Sequence, residues 1–325
     1  MRALCDLLPC QERASFLGTR IRAGLLQSLE HLIEVNKSVL GVNYLKGRTL
    51  IEHLNLARTV KLPGLFYALN SFLLQATSSR QTQSIYSDIS ILFEIPLLEE
   101  IRYFNFTERE SDNKRNELLR KYILFELPQE GDISEPATEE SEKTKLLIKE
   151  ALKLISECDE ETYKEIIEFV SEFMILKTNV LKAGSSFDLY GLIFINVANA
   201  DRGVINMVDL IIHEVSHLYL YNLGIEDPLV LNEYEEKYYS PIKERERPML
   251  GVYHAAFVLT RVVRFLRILR KSNLLNFLSD ILEIDTLIDQ YYKIVSDSLE
   301  IVNSSAKLTN LGRDIMQSTE EGVKS

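Results

Sequence analysis

The chain has 325 residues, of which 46% are hydrophobic and 26% charged, a composition typical of a soluble globular protein with one large domain or two ordinary ones. Its net charge of -11 disfavours nucleic acid as a partner, because phosphate binding draws on a basic surface. No apolar run approaches the roughly 20 residues of a membrane helix, no signal peptide is indicated, and the odd, scattered set of Cys5, Cys10 and Cys158 fits reduced thiols. We therefore expect a cytoplasmic protein that does not bind a membrane.

The N-terminal half reads as helical. Apolar residues at three-four spacing predict helices over residues 11–35, 48–60, 65–75 and 111–125. Residues 127–142 are rich in acids and contain Pro128, Gly131 and Pro136, which is typical of a loop or linker. We place a domain boundary there, with a helical N-terminal region at 1–130 and a helical catalytic domain at 143–325.

The C-terminal half is also predicted to be mainly helical, so the expected fold class is mainly α. Helices are predicted over 143–156 and 161–181. A strand is predicted over 187–198 because aromatic and branched residues cluster there, and a turn follows at 199–203. The next predicted helix spans 206–223 with Gly224 as its C-cap, and a loop at 225–248 leads to helices at 249–270 and 274–302.

The predicted helix after the strand carries the segment His213-Glu214-Val215-Ser216-His217. Residues four apart lie on one face of a helix, so His213 and His217 project two imidazoles to the same point, at a spacing that can chelate one metal ion. Glu214 lies beside them. The chain has only 5 histidines, which makes a chance match of this pattern rare, and apolar flanking residues would exclude water from the site.

A catalytic metal needs a third protein ligand, and two candidates stand downstream. Glu236, in an acidic cluster, suits a zinc peptidase of the gluzincin type in which Glu214 is the general base; a solvated loop is the plainer interpretation of that cluster. His254 lies in the first turns of a strongly apolar helix, where an imidazole is costly unless something pairs with it. Taken alone, His254 would be interpreted as a hydrogen-bonded core histidine, but beside a histidine pair that lacks a third ligand the ligand interpretation is favoured.

The order of motifs from 209 to about 265 resembles a known family. His-Glu-x-x-His is followed by a loop with Tyr239-Ser240-Pro241, then Arg247-Pro248, then Gly251 and His254 on an apolar helix. This arrangement is similar to that of the HExxH-type 2-oxoglutarate-dependent peptide β-hydroxylases, which modify ribosomally synthesised peptides. Ile242 and Arg245 stand where that family commonly has a tryptophan and an aspartate.

The resemblance implies an Fe(II) centre held by His213, His217 and His254, with open positions for 2-oxoglutarate and O2. Glu214 then becomes a group that orients a ligand or water. Arg247 matches the family's Arg-Pro and is the first candidate to bind the distal carboxylate of 2-oxoglutarate. Arg261, two helical turns after His254, is the second, although its three-residue spacing with other arginines is typical of a solvated face.

The implied substrate is a peptide, with or without a leader segment, hydroxylated on a side-chain (β) carbon. Three histidines also suit zinc, so the metallopeptidase stays open as an alternative. A third possibility is a protein without catalytic activity, in which the metal is structural or the chain only binds a peptide. Tyr239 and Tyr253 could add hydrogen bonds. The N-terminal region could bind a leader, cap the site or hold a homodimer together. His31 and His53 have no acidic or histidine neighbours at ligand spacing and receive no role.

Overall fold

The structure is a computed structural model of the chain. Apart from the side chains of residues 39, 72 and 74–78, it describes residues 7–41, 43–56, 60–78, 92–93, 95–107, 119–120, 123, 132–225, 227–275 and 277–324.

The described chain is mainly α-helical, which confirms the predicted fold class. Its helices are α1 (Gln11–Val35), α2 (Lys37–Leu40), α3 (Asn43–Leu56), α4 (Gly64–Ser78), α5 (Thr138–Cys158), α6 (Glu160–Phe169), α7 (Gly203–Gly224), α8 (Met249–Lys271), α9 (Leu278–Ser305) and α10 (Asn310–Lys324). Its strands are β1 (Arg102–Asn105), β2 (Ile133–Ser134), β3 (Glu172–Thr178), β4 (Ala183–Ser185), β5 (Leu192–Asn196), β6 (Lys237–Ser240) and β7 (Arg245–Pro248).

The chain folds into two compact units that interleave along the sequence. Unit 1 contains Met1–Ser15, Leu146–Ile166 and Asn199–Ser325, and unit 2 contains Phe16–Lys145 and Ile167–Ala198. Three of the four unit borders fall within α1, α5 and α6, and the fourth, between Ala198 and Asn199, lies between β5 and α7. The domain ranges expected from the sequence, 1–130 and 143–325, do not coincide with these units, and the division of the chain into two folding domains stays a prediction.

Unit 2 is built on a sheet whose strands run in the order β1-β3-β5-β4, with β2 also paired to β3. The pairs β1–β3 and β3–β5 are parallel, and β4 runs antiparallel to β5. Parallel strands of this kind are covered on both faces, and all five residues of β5 are buried. The core packs Met174, Leu192 and Phe194 against leucines of α1 and α4.

The prediction of a single helix over 161–181 is wrong for its second half. α6 ends at Phe169, and the continuous apolar run that follows is strand β3, whose first five residues are buried. A strand buried on both faces shows no alternation, so periodicity alone does not distinguish it from a helix. The strand predicted over 187–198 is confirmed at Leu192–Asn196.

Unit 1 contains α7, α8, α9 and α10, with α8 packed against the other three. Of the 22 residues of α7, 16 are buried. The predicted loop over 225–248 is wrong in part, because β6 and β7 form an antiparallel hairpin there that pairs Tyr238 with Arg247. Pro248 is extended and ends the hairpin, and α8 begins at the next residue.

Several boundaries differ from the sequence-based expectation. The linker predicted at 127–142 contains β2 and the start of α5 within its described part. α3 begins earlier than the predicted residue 48, and α10 was not predicted as an element of its own. α7 ends at Gly224, but the cap residue is Ile225 in a right-handed conformation, so Gly224 is not a left-handed cap. Most of the helix predicted over 111–125 lies outside the described residues.

One described helix, Met249–Lys271, is long and apolar enough by length and composition to cross a membrane. Its most apolar window is 78% buried inside the protein. The core helix of a soluble protein passes the same test, so this helix is weak evidence for a membrane span.

Candidate metal centre

Helix α7 brings the two motif histidines together as the sequence predicts. The Nε2 atoms of His213 and His217 are 3.3 Å apart, and their ring centroids are 5.0 Å apart. Two nitrogens that each bind one ion at about 2.1 Å, at angles between tetrahedral and square, lie about 3.0 to 3.4 Å from each other. The observed Nε2 spacing is therefore the spacing of two ligands on a single ion.

His254 reaches this pair from α8. Its ring centroid is 5.8 Å from that of His217, and the ring of Tyr221 lies 5.9 Å from His254 and 6.1 Å from His217. Within the described ranges, however, no group of three or more His, Cys, Asp and Glu side chains is arranged so that it could hold a metal ion. The structure thus brings two predicted ligands to chelating distance and leaves His254 adjacent to them.

All three imidazoles are held neutral. Burial lowers the pKa of His213 to about 4, helped by Lys243, and lowers the pKa of His254 to about 4, helped by Arg247. The pKa of His217 lies well below its usual value, first because of burial and then because of its two histidine neighbours and the same two basic residues. Neutral imidazole is the form that binds a metal, and each of the three histidines is a partly accessible residue.

The second ring nitrogen of His217, Nδ1, is not used in a hydrogen bond to any described residue. Its Nδ1 atom is buried and, among the described residues, has no hydrogen-bond partner. Leaving a buried polar atom unpaired costs roughly 1–3 kcal/mol, and such atoms in native proteins mark strained, catalytic or ion-binding sites. The 3.3 Å nitrogen spacing and the neutral donors fit a divalent transition metal held by imidazoles, whereas a metal-bound histidine usually donates its other ring nitrogen to an acceptor.

Two basic side chains of the β6–β7 hairpin act on this centre. Arg247 lies across Gly251, where an added Cβ would stand only 3.2 Å from its Nε atom. Gly251 precedes His254 by one helical turn, so the glycine makes room for the guanidinium beside the imidazole. Lys243, in the turn of the hairpin, lowers the pKa of both motif histidines. Two positive charges beside neutral rings favour an anionic ligand.

Arg261 lies in a different environment from the one its spacing suggested. It is buried, its Nε donates to Ser216 Oγ at 3.1 Å, its Nη1 donates to the Leu7 carbonyl at 2.9 Å, and its Nη2 pairs with Glu165. All three nitrogens are engaged in this internal cluster, because buried charge must be matched inside the protein. Of the two arginines proposed for a carboxylate, only Arg247 accompanies the histidines.

Glu236 is also engaged elsewhere. Its Oε1 accepts from Lys307 Nζ at 3.0 Å, and its Oε2 accepts from Tyr238 OH at 2.7 Å and from Asn232 Nδ2 at 3.1 Å. These hydrogen bonds, that of Tyr238 first, lower the pKa of Glu236 to about 2. Glu214 is buried on α7 next to His213, with 6% of its surface accessible.

The remaining sequence candidates lie away from the histidines or at the surface. Tyr253 is buried, and its hydroxyl donates to the Gly312 carbonyl at 3.0 Å. Tyr239 is 55% accessible, and His31 and His53 are exposed. Sequence reasoning missed Tyr221 and Lys243. Tyr221 continues the four-residue spacing of the motif histidines and was detectable, whereas Lys243 depended on a hairpin that the sequence did not reveal.

Comparison of the chain with models of known protein families and with curated proteins finds no match.

Proposed function

We propose that this chain is a cytoplasmic Fe(II)- and 2-oxoglutarate-dependent oxygenase that hydroxylates a side-chain (β) carbon of a ribosomally synthesised peptide. The observation that carries the proposal is the 3.3 Å spacing of the His213 and His217 Nε2 atoms, with His254 and Arg247 beside them. The motif order shared with the HExxH-type peptide β-hydroxylases adds to it.

The three histidines would hold the iron in this proposal. His213 and His217 come from one helix and stay neutral at physiological pH because burial lowers their pKa. His254 would complete the set from α8. When bound, the iron supplies redox chemistry in which O2 and 2-oxoglutarate are consumed, CO2 and succinate are released, and one oxygen atom enters a substrate C–H bond.

Arg247 would bind the distal carboxylate of 2-oxoglutarate. Arginine's planar fork suits a carboxylate, and this arginine already acts electrostatically on His217 and His254. Lys243 adds a second positive charge on the side of His213. Glu214, adjacent to His213 in sequence, would orient a ligand or water rather than move the substrate's proton.

The metallopeptidase alternative needs Glu236 as a zinc ligand. Both oxygens of that carboxylate are engaged by Lys307, Tyr238 and Asn232. The charged and titratable groups that shift the pKa of His217 are His213, His254, Lys243 and Arg247, with no carboxylate among them. These observations support the oxygenase over the peptidase.

The proposal is tested by adding Fe(II) and 2-oxoglutarate to the purified protein without oxygen. We expect a visible metal-to-ligand charge-transfer band, lost in His254→Ala and retained in His53→Ala, which removes an exposed histidine. Absence of the band in the unaltered protein, or its survival in His254→Ala, contradicts the three-histidine iron site. Glu236→Gln should keep the band; zinc-dependent peptide cleavage lost in Glu236→Gln would instead establish the alternative.

The role of Arg247 is tested by titrating 2-oxoglutarate into the Fe(II)-loaded protein. Charge-assisted hydrogen bonds contribute about 1.5–3 kcal/mol, so Arg247→Ala should weaken binding by about tenfold or more. Arg247→Lys should recover only part of the loss because a lysine cannot form the bidentate pair. Unchanged affinity in Arg247→Ala would assign the carboxylate to another cation, with Lys243 the next to test.

A further inference from the structure

A surface cleft in unit 1 lies outside the histidine centre. It has a volume of about 290 Å³ and lies between α5, the first residues of α7 and the beginning of α9. Leu154, Ile205 and Phe277 contribute its apolar lining, and Glu150, Glu157 and Asp280 contribute carboxylates. The lining of the cleft thus combines apolar side chains with carboxylates.

One apolar side chain of the cleft is well exposed: Phe277 keeps 67% of its surface accessible. Leu278 and Leu282, the next large apolar residues along the chain, keep 70% and 57%. Leu278 and Leu282 are four residues apart and share one face of α9. A large exposed apolar side chain that lines a cleft together with carboxylates offers both apolar contact and charge to another molecule.

The charge of the cleft determines which molecule fits. Three carboxylates face one lysine, Lys153, which already lies 3.8 Å from Glu157. Partial burial and the charge of Asp280 raise the pKa of Glu283, one turn further along α9, so this region is short of positive charge. A bound segment with Lys or Arg side chains would supply it.

The cleft and the histidines share helix α7. Ile205 and His213 are eight residues apart, which is about 12 Å along the helix axis. An extended peptide covers that distance with about four residues. The axial separation of the two sites on α7 is therefore small compared with the reach of an extended ten-residue peptide, about 33–36 Å.

We propose that this cleft binds a basic, apolar segment of the peptide substrate, flanking the residue that reacts. The inference deepens the proposed function and rests on it in one respect: the peptide is taken to be the substrate of the histidine centre. The cleft selects by charge and apolar contact, and the histidine centre then acts on a residue a few positions away.

The test measures binding of labelled ten-residue peptides to the metal-free protein by fluorescence anisotropy at physiological salt. A peptide of Leu and Lys should bind, whereas the same peptide with Glu for Lys, or with Ser for Leu, should bind at least tenfold more weakly. The double variant Glu150→Lys/Asp280→Lys should weaken binding of the first peptide at least tenfold.

The matched control is Asp297→Lys/Glu300→Lys, which makes the same charge change at exposed positions of α9 outside the cleft. It should change affinity less than threefold. If both double variants lost peptide affinity equally, the overall negative charge of the protein would explain the loss, and the proposal would be overturned. If the peptide with Ser for Leu bound as tightly as the Leu and Lys peptide, apolar contacts would not contribute to binding, and the proposal would be overturned.

A second copy of the chain is the competing occupant. Phe277→Ser should weaken peptide binding while leaving the sedimentation behaviour of the protein unchanged; a dimer that this variant dissociates would overturn the peptide assignment. No metal is present in these assays. A failed peptide titration with an intact charge-transfer band therefore rejects the cleft alone, and the reverse result rejects the oxygenase alone.

Discussion

Helix α7 carries polar side chains on two faces, and the groups that lie against these two faces differ in charge. The histidine face, with His213 and His217, meets His254 and two basic residues that disfavour a protonated ring. The arginine face, with Ser216 and Tyr219, meets Arg261, whose guanidinium carbon lies 4.7 Å from the centre of the Tyr219 ring and whose Nη2 pairs with Glu165. Opposite charges meet on the arginine face, and only neutral and positive groups act on His217.

This difference in charge indicates different roles: the arginine face stabilises the helix, and the histidine face is suited to binding a ligand. Ser216 Oγ accepts from Arg261 and donates to the Ile212 carbonyl at 2.7 Å, so the arginine face fixes the turn that carries both motif histidines. Among the described residues, one buried atom on each side has no hydrogen-bond partner, Nδ1 of His217 and Oε2 of Glu165. The two faces therefore differ in charge: the arginine face contains an ion pair, and a centre short of negative charge suits an anionic cosubstrate.

The largest expected effect comes from breaking the arginine face. Arg261→Met removes one partner of an ion pair whose side chains are 5% and 0% accessible. Loss of one partner of a buried pair costs about 3–5 kcal/mol of unfolding free energy, measured by urea denaturation. Burial already raises the pKa of Glu165, so protonation of this carboxyl should place the loss toward the lower end of that range.

Arg270→Met on the same helix is the control. Arg270 pairs with Asp285, but their side chains are 40% and 46% accessible, and exposed ion pairs contribute little to stability because solvent screens them. Adding Glu165→Gln to Arg261→Met should restore part of the lost stability, since no buried charge is then left alone. Similar losses in the Arg261 and Arg270 variants would show that the arginine face does not fix the helix.

The second effect is a pH dependence that belongs to the histidine face. The pKa values of His213 and His254 are about 4 in the folded protein, below the usual 6.5, so the unfolded chain takes up protons first as the pH falls. The stability from neutral rings is fully present above pH 6.5 and is lost between 6.5 and 4. One pKa unit is about 1.4 kcal/mol, which gives an upper bound of about 3 kcal/mol for each ring, reduced by its partial accessibility.

Urea denaturation of the metal-free protein between pH 4 and 8 measures this slope. His213→Asn should flatten the fall between pH 6.5 and 4, while His53→Asn, at an exposed position, should leave it unchanged. An undiminished slope in His213→Asn would mean that other groups cause the acid destabilisation and that the histidine face is not held neutral by burial.

The sequence predicted the histidine face better than the arginine face, for a physical reason. The spacing of His213 and His217 is local, so a helix alone fixes their geometry, and the strand before α7 and the helix from Met249 were also recognisable. The partners of Arg261 are Leu7, Glu165 and Ser216, distant in sequence. Spacing places an arginine on a helix face but does not say which distant carboxylate will meet it.

The same limit applies to the strands. Strand β3 (Glu172–Thr178) lacks the alternation that identifies a half-buried strand, because both of its faces are covered in the sheet. The β6–β7 hairpin has a turn without glycine, in which Glu244 adopts a positive φ of 49°, so no standard turn signal marked it. The position of Lys243 depends on this turn, and its electrostatic effect on His213 and His217 was therefore not predicted.

The smallest expected effect comes from Gly251→Ala, which should lower the affinity for 2-oxoglutarate without lowering the stability of the protein. Gly251→Ala adds a Cβ that would stand 3.2 Å from Arg247 Nε and 3.3 Å from its Cζ, so the guanidinium has to move. Forcing a side chain off its rotamer costs about 0.5–1.5 kcal/mol, which corresponds to a loss of about two- to tenfold in 2-oxoglutarate affinity. The helix should gain about 0.5–1 kcal/mol from replacing glycine with alanine, so stability should not fall.

Gly24→Ala in α1 is the matched control, because an added Cβ there meets no described atom within 4 Å. It should raise the unfolding free energy by a similar amount and leave 2-oxoglutarate affinity unchanged. The charge-transfer band of the Fe(II) complex should keep its position in Gly251→Ala, since the imidazoles are not displaced, and only the concentration of 2-oxoglutarate that produces it should rise. If affinity is retained while the helix is stabilised, Arg247 does not bind the cosubstrate from its place over Gly251, and Lys243 becomes the cation to examine.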